Sequence, residues 1–353
     1  ELGISYFSKN FLTYIKNKYF GVLPLTHIKL VVFETWRSNK NIKKFEIVEK
    51  NKKKILIYVG LDLLGDALLK LPALKFLKDC FPNSDITWFA GKGRSIFSNK
   101  LKPLSKNLIH NVQDKISYGS TFFDFFKKIN FDHYDIVIDT QKRFLTTLLL
   151  KKIPTDLFIS PSGNFLFSDI PLAAKSEKNL SLNLIQLIGL LSNKEFENYS
   201  LNKSKTKKIA ICPGAAVKAK RWKLHNFLEV AKFLKTKRFD PIFILGPKEK
   251  EMRLSIQKTA GNFKIFESND PLKTITFSKN CFFGLSNDTG CGHLISASGI
   301  PTLTIFGPTD AEKFLPIGNE KNAALSSQLN YKDKNINKIT PVEVIEKISK
   351  WLT

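Results

Sequence analysis

The stretch "KILIYVGLDLLGDALLKLPALKFLKDCF", residues 54–81, decides how this chain folds. After Lys54, residues 55–60 form a continuous apolar run, which is typical of a buried parallel strand. The rest repeats apolar residues at helical spacing, and Pro72 predicts either a kink or the start of a second helix. A strand, a glycine turn and a helix form the unit with which nucleotide-binding folds hold a phosphate. This turn, however, carries Asp62 and Asp66, whose negative charges would repel one.

The same strand-and-helix alternation runs through the rest of the chain. Further apolar strands follow at 85–91 and 134–140, and the pattern restarts at "KIAICPGAA" (208–216) after a polar, lysine-rich segment. Continuous apolar strands separated by helices indicate parallel sheets covered on both faces. We therefore predict an α/β fold of two Rossmann-like domains facing each other across a cleft, with an N-terminal helical extension. The predicted segments are the extension (1–53), an N-terminal Rossmann-like domain (54–191), a linker (192–208), a C-terminal Rossmann-like domain (209–340) and a C-terminal helix (341–353).

Composition limits the choice of partner. The chain of 353 residues has 56 Lys and Arg against 31 Asp and Glu, a formal charge of +25, but only six of the 56 are Arg. Arg is the preferred reader of bases and phosphates, so we do not expect a nucleic-acid partner. An anionic membrane surface or an anionic substrate remains open. No uninterrupted apolar stretch reaches about 18 residues, so we expect no transmembrane helix.

The N-terminal extension mixes aromatic residues with lysines. Residues 1–54 contain 12 Lys or Arg and four acids. Two interpretations stand side by side: an amphipathic helix lying on anionic lipid, or a helical extension packed on the body of the protein. The four cysteines of the chain show no CxxC or disulfide-like spacing, and no second pair completes a metal site with Cys291 and His293. We expect reduced thiols, no bound metal and a cytoplasmic location.

The second half offers the better phosphate site. In "SNDTGCGHL" (286–294), Thr289, Gly290, Cys291 and Gly292 would place free backbone N–H groups at a helix N-terminus. Such a turn attracts phosphate through its donors and the helix dipole together. The alternative is an ordinary helix cap, with glycines that serve only the turn.

Two other turns add charged side chains to the same half. In "GAAVKAKRW" (214–222), Lys220 could offset the charge that grows on a diphosphate leaving group, unless it is one more solvated lysine. In "LGPKEKE" (245–251), Glu249 or Glu251 could accept hydrogen bonds from ribose hydroxyls, unless both belong to an ordinary charged helix start.

Two motifs are missing from the sequence. No Asp-x-Asp pair occurs, so the metal–diphosphate clamp of many sugar-nucleotide enzymes is absent. No GxGxxG follows either opening strand, which disfavours an NAD-dependent oxidoreductase.

Five stretches together resemble glycosyltransferase family 9, the lipopolysaccharide heptosyltransferases, which have the two-domain GT-B fold. They are "LLGDALLKLPALKFLKDCFP" (63–82), "YDIVIDTQ" (134–141), "KRW" (220–222), "LGPKEKE" (245–251) and "NDTGCGHLISASGIPTLTIFGPTD" (287–310). The resemblance implies transfer of a heptose from a nucleotide sugar, typically ADP-heptose, to a lipid-linked core oligosaccharide. It also implies inversion at the anomeric carbon, with no metal and no cofactor beyond the nucleotide-sugar co-substrate.

The resemblance also implies roles for residues. Asp66 matches the family's proposed catalytic base, in preference to Asp62, and Lys220 matches the lysine that contacts the donor phosphates. Asp288, Thr289, Gly290 and His293 match the donor-binding helix start, where Cys291 and Gly292 replace bulkier residues. Glu251, ahead of Glu249, stands at the acidic position associated with the donor ribose.

The acceptor implied by the resemblance is anionic and lipid-linked, and lies at the inner-membrane surface. Lys92, Arg94, Lys142 and Arg143 follow predicted strand ends of the N-terminal half and are expected to line its side of the cleft. We therefore expect a cytoplasmic protein that works on the cytoplasmic face of that membrane. Two other functions remain open: a family 9 transferase using another nucleotide sugar, and a non-catalytic basic protein that binds membranes or nucleic acid. The sequence does not predict an oligomeric state.

Overall fold

The computed structural model describes residues 52–170, 175–198, 206–247, 249–259 and 262–352. The predicted extension (1–53) lies outside these ranges apart from Lys52 and Lys53, as does part of the predicted linker. Everything below concerns the described residues.

The N-terminal half is a five-stranded parallel sheet with the order β3-β2-β1-β4-β5. Strand β1 lies in the middle, with Ile55 paired to Ile86 on one side and Ile136 on the other. Its apolar run is buried because helices cover both faces of the sheet. The strands are β1 (Lys54–Leu61), β2 (Asp85–Lys92), β3 (Asn111–Gln113), β4 (Tyr134–Asp139) and β5 (Thr155–Ile159).

Four α-helices accompany this sheet. Helix α1 runs through Pro72 as a single helix, so of the two alternatives for Pro72 the second helix start is not used. The helices are α1 (Leu64–Cys80), α2 (Lys102–Ser105), α3 (Phe144–Leu150) and α4 (Leu180–Gly189), with 3-10 helices at Ile96–Ser98 and Phe122–Phe126.

The C-terminal half repeats the design with a six-stranded parallel sheet, ordered β11-β10-β9-β6-β7-β8. Its strands are β6 (Lys208–Cys212), β7 (Asp240–Leu245), β8 (Lys264–Glu267), β9 (Phe283–Asn287), β10 (Thr302–Phe306) and β11 (Ala323–Ser326). Its helices are α5 (Leu224–Thr236), α6 (Lys250–Lys258), α7 (Pro271–Ser278), α8 (Gly290–Ala297), α9 (Ala311–Phe314), α10 (Ser327–Tyr331) and α11 (Pro341–Leu352), with 3-10 helices at Lys218–Lys220 and Ile336–Lys338.

The two halves meet along α1 and α8. Ile275 and Leu294 of the C-terminal half belong to the same buried cluster as the core of the N-terminal half. A Cβ built on Gly65 would lie 2.8 Å from Cδ2 of His293, and one on Gly290 would lie 3.1 Å from Cδ2 of Leu64. The first turns of α1 and α8 therefore face each other. Within the described ranges, no helix is long and apolar enough to cross a bilayer.

Candidate active site

The first turn, between β1 and α1, holds two carboxylates in opposite environments. Asp62 is buried and accepts hydrogen bonds from Nε1 of Trp88, at 2.9 Å, and from the hydroxyl of Ser95. Burial raises the pKa of Asp62, against the opposing effects of Lys70, Ser95 and Trp88. This carboxylate ties β1 to β2 and the loop that follows it.

Asp66 lies one turn further on, in the first turn of α1. It is half-buried, and among the described residues no hydrogen bond or ion pair engages its carboxylate. It is not the helix cap, because Leu63 occupies that position without a side-chain bond. Asp66 is therefore available to a ligand, whereas Asp62 is committed to the fold.

The second turn follows β9, where the strand order of the C-terminal sheet reverses between β6 and β9. Ligands of doubly wound sheets bind in the crevice at such a reversal. Asn287, the last residue of β9, bonds to both ends of the loop after β6. Its Nδ2 donates to the carbonyl of Pro213 at 2.8 Å, and its Oδ1 accepts from the backbone N–H of Trp222 at 3.2 Å. The loop after β6, which carries Lys220, is thereby fixed to the turn after β9.

Asp288 organises the charged groups of this crevice. Its Oδ2 lies 2.7 Å from Nζ of Lys220 and accepts from the hydroxyl of Thr309 at 2.7 Å, while its Oδ1 lies 3.4 Å from Nε2 of His293. Burial by itself would raise the pKa of Asp288, but the hydrogen bonds from His293, Lys220 and Thr309 outweigh it and lower that pKa to about 2. Asp288 is thus a buried anion that fixes the ammonium group of Lys220 at the crevice.

Helix α8 begins directly beside this ion pair. Thr289 is its N-cap and accepts from the backbone N–H of Gly292. A Cβ on Gly292 would lie 2.3 Å from Oγ of Ser286 and 2.7 Å from the carbonyl of Asn287, so the helix start packs against β9 only with glycine here. The ordinary helix cap, which the sequence left open as an alternative to a phosphate site, is present. The backbone N–H groups of Gly290 and Cys291 stand at the positive end of the helix dipole, beside the charge of Lys220.

His293 links the two turns. Its Nε2 faces Asp288 and its ring lies against Gly65, one residue before Asp66. Within the described residues, Nδ1 of His293 is buried and has no hydrogen-bond partner. The turn that carries a free carboxylate in the N-terminal half therefore faces the turn that carries a cation and a helix N-terminus in the C-terminal half.

Known glycosyltransferases are similar to this chain in sequence. The model of glycosyltransferase family 9 (heptosyltransferase) matches residues 172–342. A lipooligosaccharide heptosyltransferase 2 of Campylobacter jejuni is 26% identical over 74% of this chain and 84% of its own length. The resemblance to glycosyltransferase family 9 that the sequence motifs predicted is confirmed.

Solved structures agree on the fold of this glycosyltransferase. The heptosyltransferase WaaC of E. coli, solved with ADP-2-deoxy-2-fluoro heptose, has a TM-score of 0.62 at 16% identity, over 84% of this chain and 99% of that one. A family 9 glycosyltransferase of Veillonella parvula has a TM-score of 0.60 at 18% identity, over 85% and 97%. The predicted pair of Rossmann-like domains in a GT-B arrangement is confirmed.

The acidic position after β7 differs from the sequence-based expectation. Glu249, not Glu251, reaches the crevice: its Oε2 accepts from the backbone N–H of Gly246 at 2.8 Å, and a Cβ on Gly214 would lie 2.6 Å from its Oε1. Glu251 is exposed in the first turn of α6. Glu249 lies nearer the strand ends than Glu251 because it precedes the helix and folds back over them, and the assignment of the ribose contact stays a prediction.

Cys291 has a neighbour that the sequence did not indicate. Its thiol interacts with that of Cys212, at the end of β6, and this contact together with burial raises the pKa of Cys291. Both cysteines are free thiols. In the described part of the chain, no group of three or more His, Cys, Asp or Glu side chains is arranged to hold a metal ion.

The four basic residues assigned to the acceptor side are all exposed. Lys92 is the last residue of β2 and Arg94 follows it, while Lys142 and Arg143 follow β4. Burial, followed by the nearby charges of Lys313 and Lys175, lowers the pKa of Lys142 against the opposing effect of Glu177. The structure places all four at the carboxyl edge of the N-terminal sheet.

Sequence reasoning missed two polar residues of the site and a third at the carboxyl edge of the N-terminal sheet. Asn287 and Thr309 stand inside the motif at 287–310 but received no role, because their function depends on contacts across 65 and 21 residues. Asp139 ends β4 and is fully buried; burial raises its pKa to about 6 against hydrogen bonds from Gln141, Thr147 and Ser160. Its position at a strand end next to Gln141 was the only signal available.

A cavity of about 940 Å³ lies between α1 and the C-terminal half, lined by residues such as Leu69, Pro72, His293 and Ile317. Its lining includes His293 but neither Asp66 nor Lys220.

Proposed function

We propose that this protein transfers a heptose from ADP-heptose to a hydroxyl of an anionic, lipid-linked core oligosaccharide, with inversion and without a metal ion. The observation that carries the proposal is that the turn with the free carboxylate of Asp66 faces the turn with the Lys220–Asp288 ion pair. The names of the relatives supply the sugar, since they are heptosyltransferases and one was solved with an ADP-heptose analogue.

Asp66 acts as the base. An inverting transfer is a direct displacement in which the acceptor oxygen attacks the anomeric carbon as it loses its proton. The proton passes to the carboxylate of Asp66, the new glycosidic C–O bond forms, and the bond to the diphosphate breaks with its electron pair on the leaving oxygen. Asp66 suits this role because no side chain of the described residues competes for its oxygens.

The leaving diphosphate is stabilised on the opposite wall. Lys220 supplies a positive charge and the N–H groups at the start of α8 supply the helix dipole. Asp288 and Thr309 keep these groups in place before the donor arrives, so little reorganisation is needed when charge develops. In this mechanism Lys220 and the helix start take the part that a metal clamp plays in enzymes with Asp-x-Asp.

Glu249 holds the nucleoside. Its carboxylate lies between the loops after β6 and β7, on the floor of the crevice. Acidic side chains at that place in Rossmann-like sites accept hydrogen bonds from ribose hydroxyls. We assign this contact to Glu249 and leave Glu251 on the outer surface.

The acceptor places the reaction at a membrane. A lipid-linked core oligosaccharide sits on the cytoplasmic face of the inner membrane while it grows, so the enzyme works there as a peripheral protein. Lys92, Arg94, Lys142 and Arg143 are suited to its phosphate and carboxylate groups, because all four lie exposed at the carboxyl edge of the N-terminal sheet.

A thermal-shift screen of nucleotide sugars followed by a transfer assay tests the proposal. ADP-heptose should stabilise the protein most. It should then be converted with a core oligosaccharide acceptor to a product of inverted anomeric configuration by NMR, at a rate that EDTA does not change. If another nucleotide sugar gave greater stabilisation and faster transfer, that sugar would be the donor in place of ADP-heptose. If no donor supported transfer, the proposed reaction would be refuted.

A further inference from the structure

The 3-10 helix Phe122–Phe126 exposes three phenylalanines to solvent. Phe122, Phe123 and Phe126 are 62%, 77% and 74% exposed, and the rings of Phe122 and Phe126 lie 5.9 Å apart. We call these three residues the aromatic patch. Contiguous apolar groups of this kind on a protein surface mark interaction sites.

The segment that carries the aromatic patch is held in place by hydrogen bonds, an ion pair and packing. Asp124 is buried, accepts from the backbone N–H groups of Ser120 and Thr121 at 3.0 and 2.9 Å, and pairs with Lys127 at 2.6 Å. Phe125 points the other way and packs against the buried cluster around Tyr118 and Phe131. The segment is therefore held by two inward residues, and of the three outward rings Phe122 also lies 5.6 Å from the ring of Phe125.

Basic residues surround the aromatic patch. The segments 115–128 and 141–152 together contain seven Lys or Arg and a single acid, Asp124, which is buried and already paired. The two segments are adjacent because Lys152 donates to the carbonyl of Phe125 at 2.8 Å and Thr146 donates to that of Gly119 at 2.6 Å. Aromatic rings with basic neighbours thus share one face.

This face adjoins the reaction site. Helix α3 belongs to the segment 141–152, which starts at Gln141, and Oε1 of Gln141 would lie 3.1 Å from a Cβ on Gly60, near the end of β1. The segment that carries the aromatic patch starts at the same edge of the sheet, where the backbone N–H of Tyr118 donates to the carbonyl of Gly91 at the end of β2. From there it runs outward along α3.

We propose that the aromatic patch, with its basic surround, is the surface by which this protein docks onto an anionic lipid bilayer. Phe122, Phe123 and Phe126 insert at the boundary between headgroups and acyl chains, and Lys115 and Lys128 contact anionic headgroups. Docked in this way, the N-terminal half presents its cleft edge to the headgroup layer. The inference rests on the proposed function insofar as an acceptor carried by that layer would then reach Asp66.

A bilayer fits this surface better than a protein partner does. Protein interfaces are enriched in aromatic residues but depleted in lysine at their core, whereas membrane-surface segments combine both. The excess of basic charge adds attraction to anionic lipid that falls with ionic strength.

Flotation of the full chain with vesicles tests the inference. Wild-type protein should bind vesicles of phosphatidylcholine in which about one third of the lipid is anionic phosphatidylglycerol. It should bind vesicles of pure phosphatidylcholine at least about tenfold more weakly. Phe122→Ser/Phe123→Ser/Phe126→Ser should lose at least about tenfold of the binding to anionic vesicles. The matched control Leu254→Ser/Leu329→Ser/Val342→Ser removes exposed apolar residues from the C-terminal half and should bind as wild type does.

Charge is tested separately. Lys115→Glu/Lys128→Glu should weaken vesicle binding several-fold, and Lys232→Glu/Lys350→Glu, an equal charge change on exposed lysines of the C-terminal half, should weaken it much less. Because a triple variant could misfold, Phe123→Trp provides an independent measurement: its added fluorescence should be quenched by brominated lipid in anionic vesicles.

The inference is overturned if the triple Phe variant binds anionic vesicles as tightly as wild type, or if brominated lipid does not quench the fluorescence that Phe123→Trp adds. It is also overturned if the triple Phe variant changes only the oligomeric state in ultracentrifugation, since the patch would then join two copies of the chain. Transfer to a delipidated, soluble acceptor should be unchanged in the triple Phe variant, while transfer to acceptor in vesicles falls at least about tenfold. If wild-type protein transferred sugar to neither acceptor, the proposed function would be refuted. The measured binding to vesicles would still support the docking surface.

Discussion

The two turns that face each other in the crevice have similar sequences and opposite chemistry. Each ends a buried strand and opens a helix with a glycine and a carboxylate. In the first, Asp66 has no partner among the described residues and the cap residue, Leu63, offers no side-chain bond. In the second, Thr289 caps the helix and Asp288 is engaged through both oxygens.

The difference shows that its hydrogen-bond and ion-pair partners, more than the residue type, decide whether a carboxylate is structural or available to a ligand. Asp288 is held by a cation and two further donors, so it positions Lys220 and is not free to take a proton. Asp62 is buried in the fold. Of these three carboxylates only Asp66 combines access with unoccupied oxygens.

The largest effect that tests the comparison is expected from Asp66→Asn. Removing a general base should lower kcat by about 10²–10⁴-fold while the dissociation constant for ADP stays within about twofold, since the donor binds at the other turn. Single-turnover kinetics and calorimetry measure the two quantities. Asp62→Asn is the matched control in the same turn and should keep kcat within tenfold, roughly, because that carboxylate is structural. A large loss in Asp62→Asn with normal turnover in Asp66→Asn would reverse the assignment.

Lys220→Ala should weaken ADP binding by about 10- to 100-fold, the effect of losing a charge-assisted hydrogen bond to a diphosphate. Lys218→Ala, an exposed lysine of the same 3-10 helix, should change ADP binding by less than about twofold. Equal losses in both variants would mean that the loop acts through its overall charge, and the contrast between the turns would disappear.

The glycines of the two turns should respond differently to alanine. Gly292→Ala forces its Cβ against the backbone carbonyl of Asn287 and should destabilise the protein by about 1–3 kcal/mol. Gly65→Ala meets only the edge of the His293 side chain, and it gains helix propensity of about 1 kcal/mol, so its net effect should be smaller. Urea unfolding measures both, and an equal or larger loss in Gly65→Ala would contradict the packing described here.

The smallest expected effect is the pH dependence of stability. The folded pKa of Asp288, about 2, lies below the unfolded value of about 3.8, so the stability that it contributes is present above pH 4 and is lost as pH falls toward 2. Between pH 5 and pH 3 this amounts to about 1 kcal/mol. The folded pKa of Asp62 is raised, so protonation favours its folded form and its contribution changes in the opposite direction, rising as pH falls.

Unfolding at a series of pH values, compared with Asp288→Asn and Asp62→Asn, separates the two contributions. Relative to wild type, Asp288→Asn should gain stability as the pH falls and Asp62→Asn should lose it. Changes of the same sign in both variants would show that the two carboxylates are not in opposite environments.

Much of the fold could be predicted from the sequence because strand and helix periods are local properties. The run at 54–60 and the restart at 208 identified both opening strands, and the motif at 287–310 located the second turn. The sequence did not determine which carboxylate after β7 turns toward the strand ends: Glu249 and Glu251 are two apart, and only the start of α6 decides which one folds back. Pro72 likewise allowed two outcomes, and α1 remains one helix.

The sequence by itself determined the two-sheet architecture, the family and the residue types at each turn, because these follow from hydrophobic period and short motifs. Only the tertiary structure decided which carboxylate is free. The partners of Asp62 and Asp288 lie between 5 and 68 residues away along the chain, and the contact between α1 and α8 joins the two halves. Contacts that set the charge and access of a side chain arise only when the sheets and their helices pack, so the chemistry of the crevice is a property of the packed molecule.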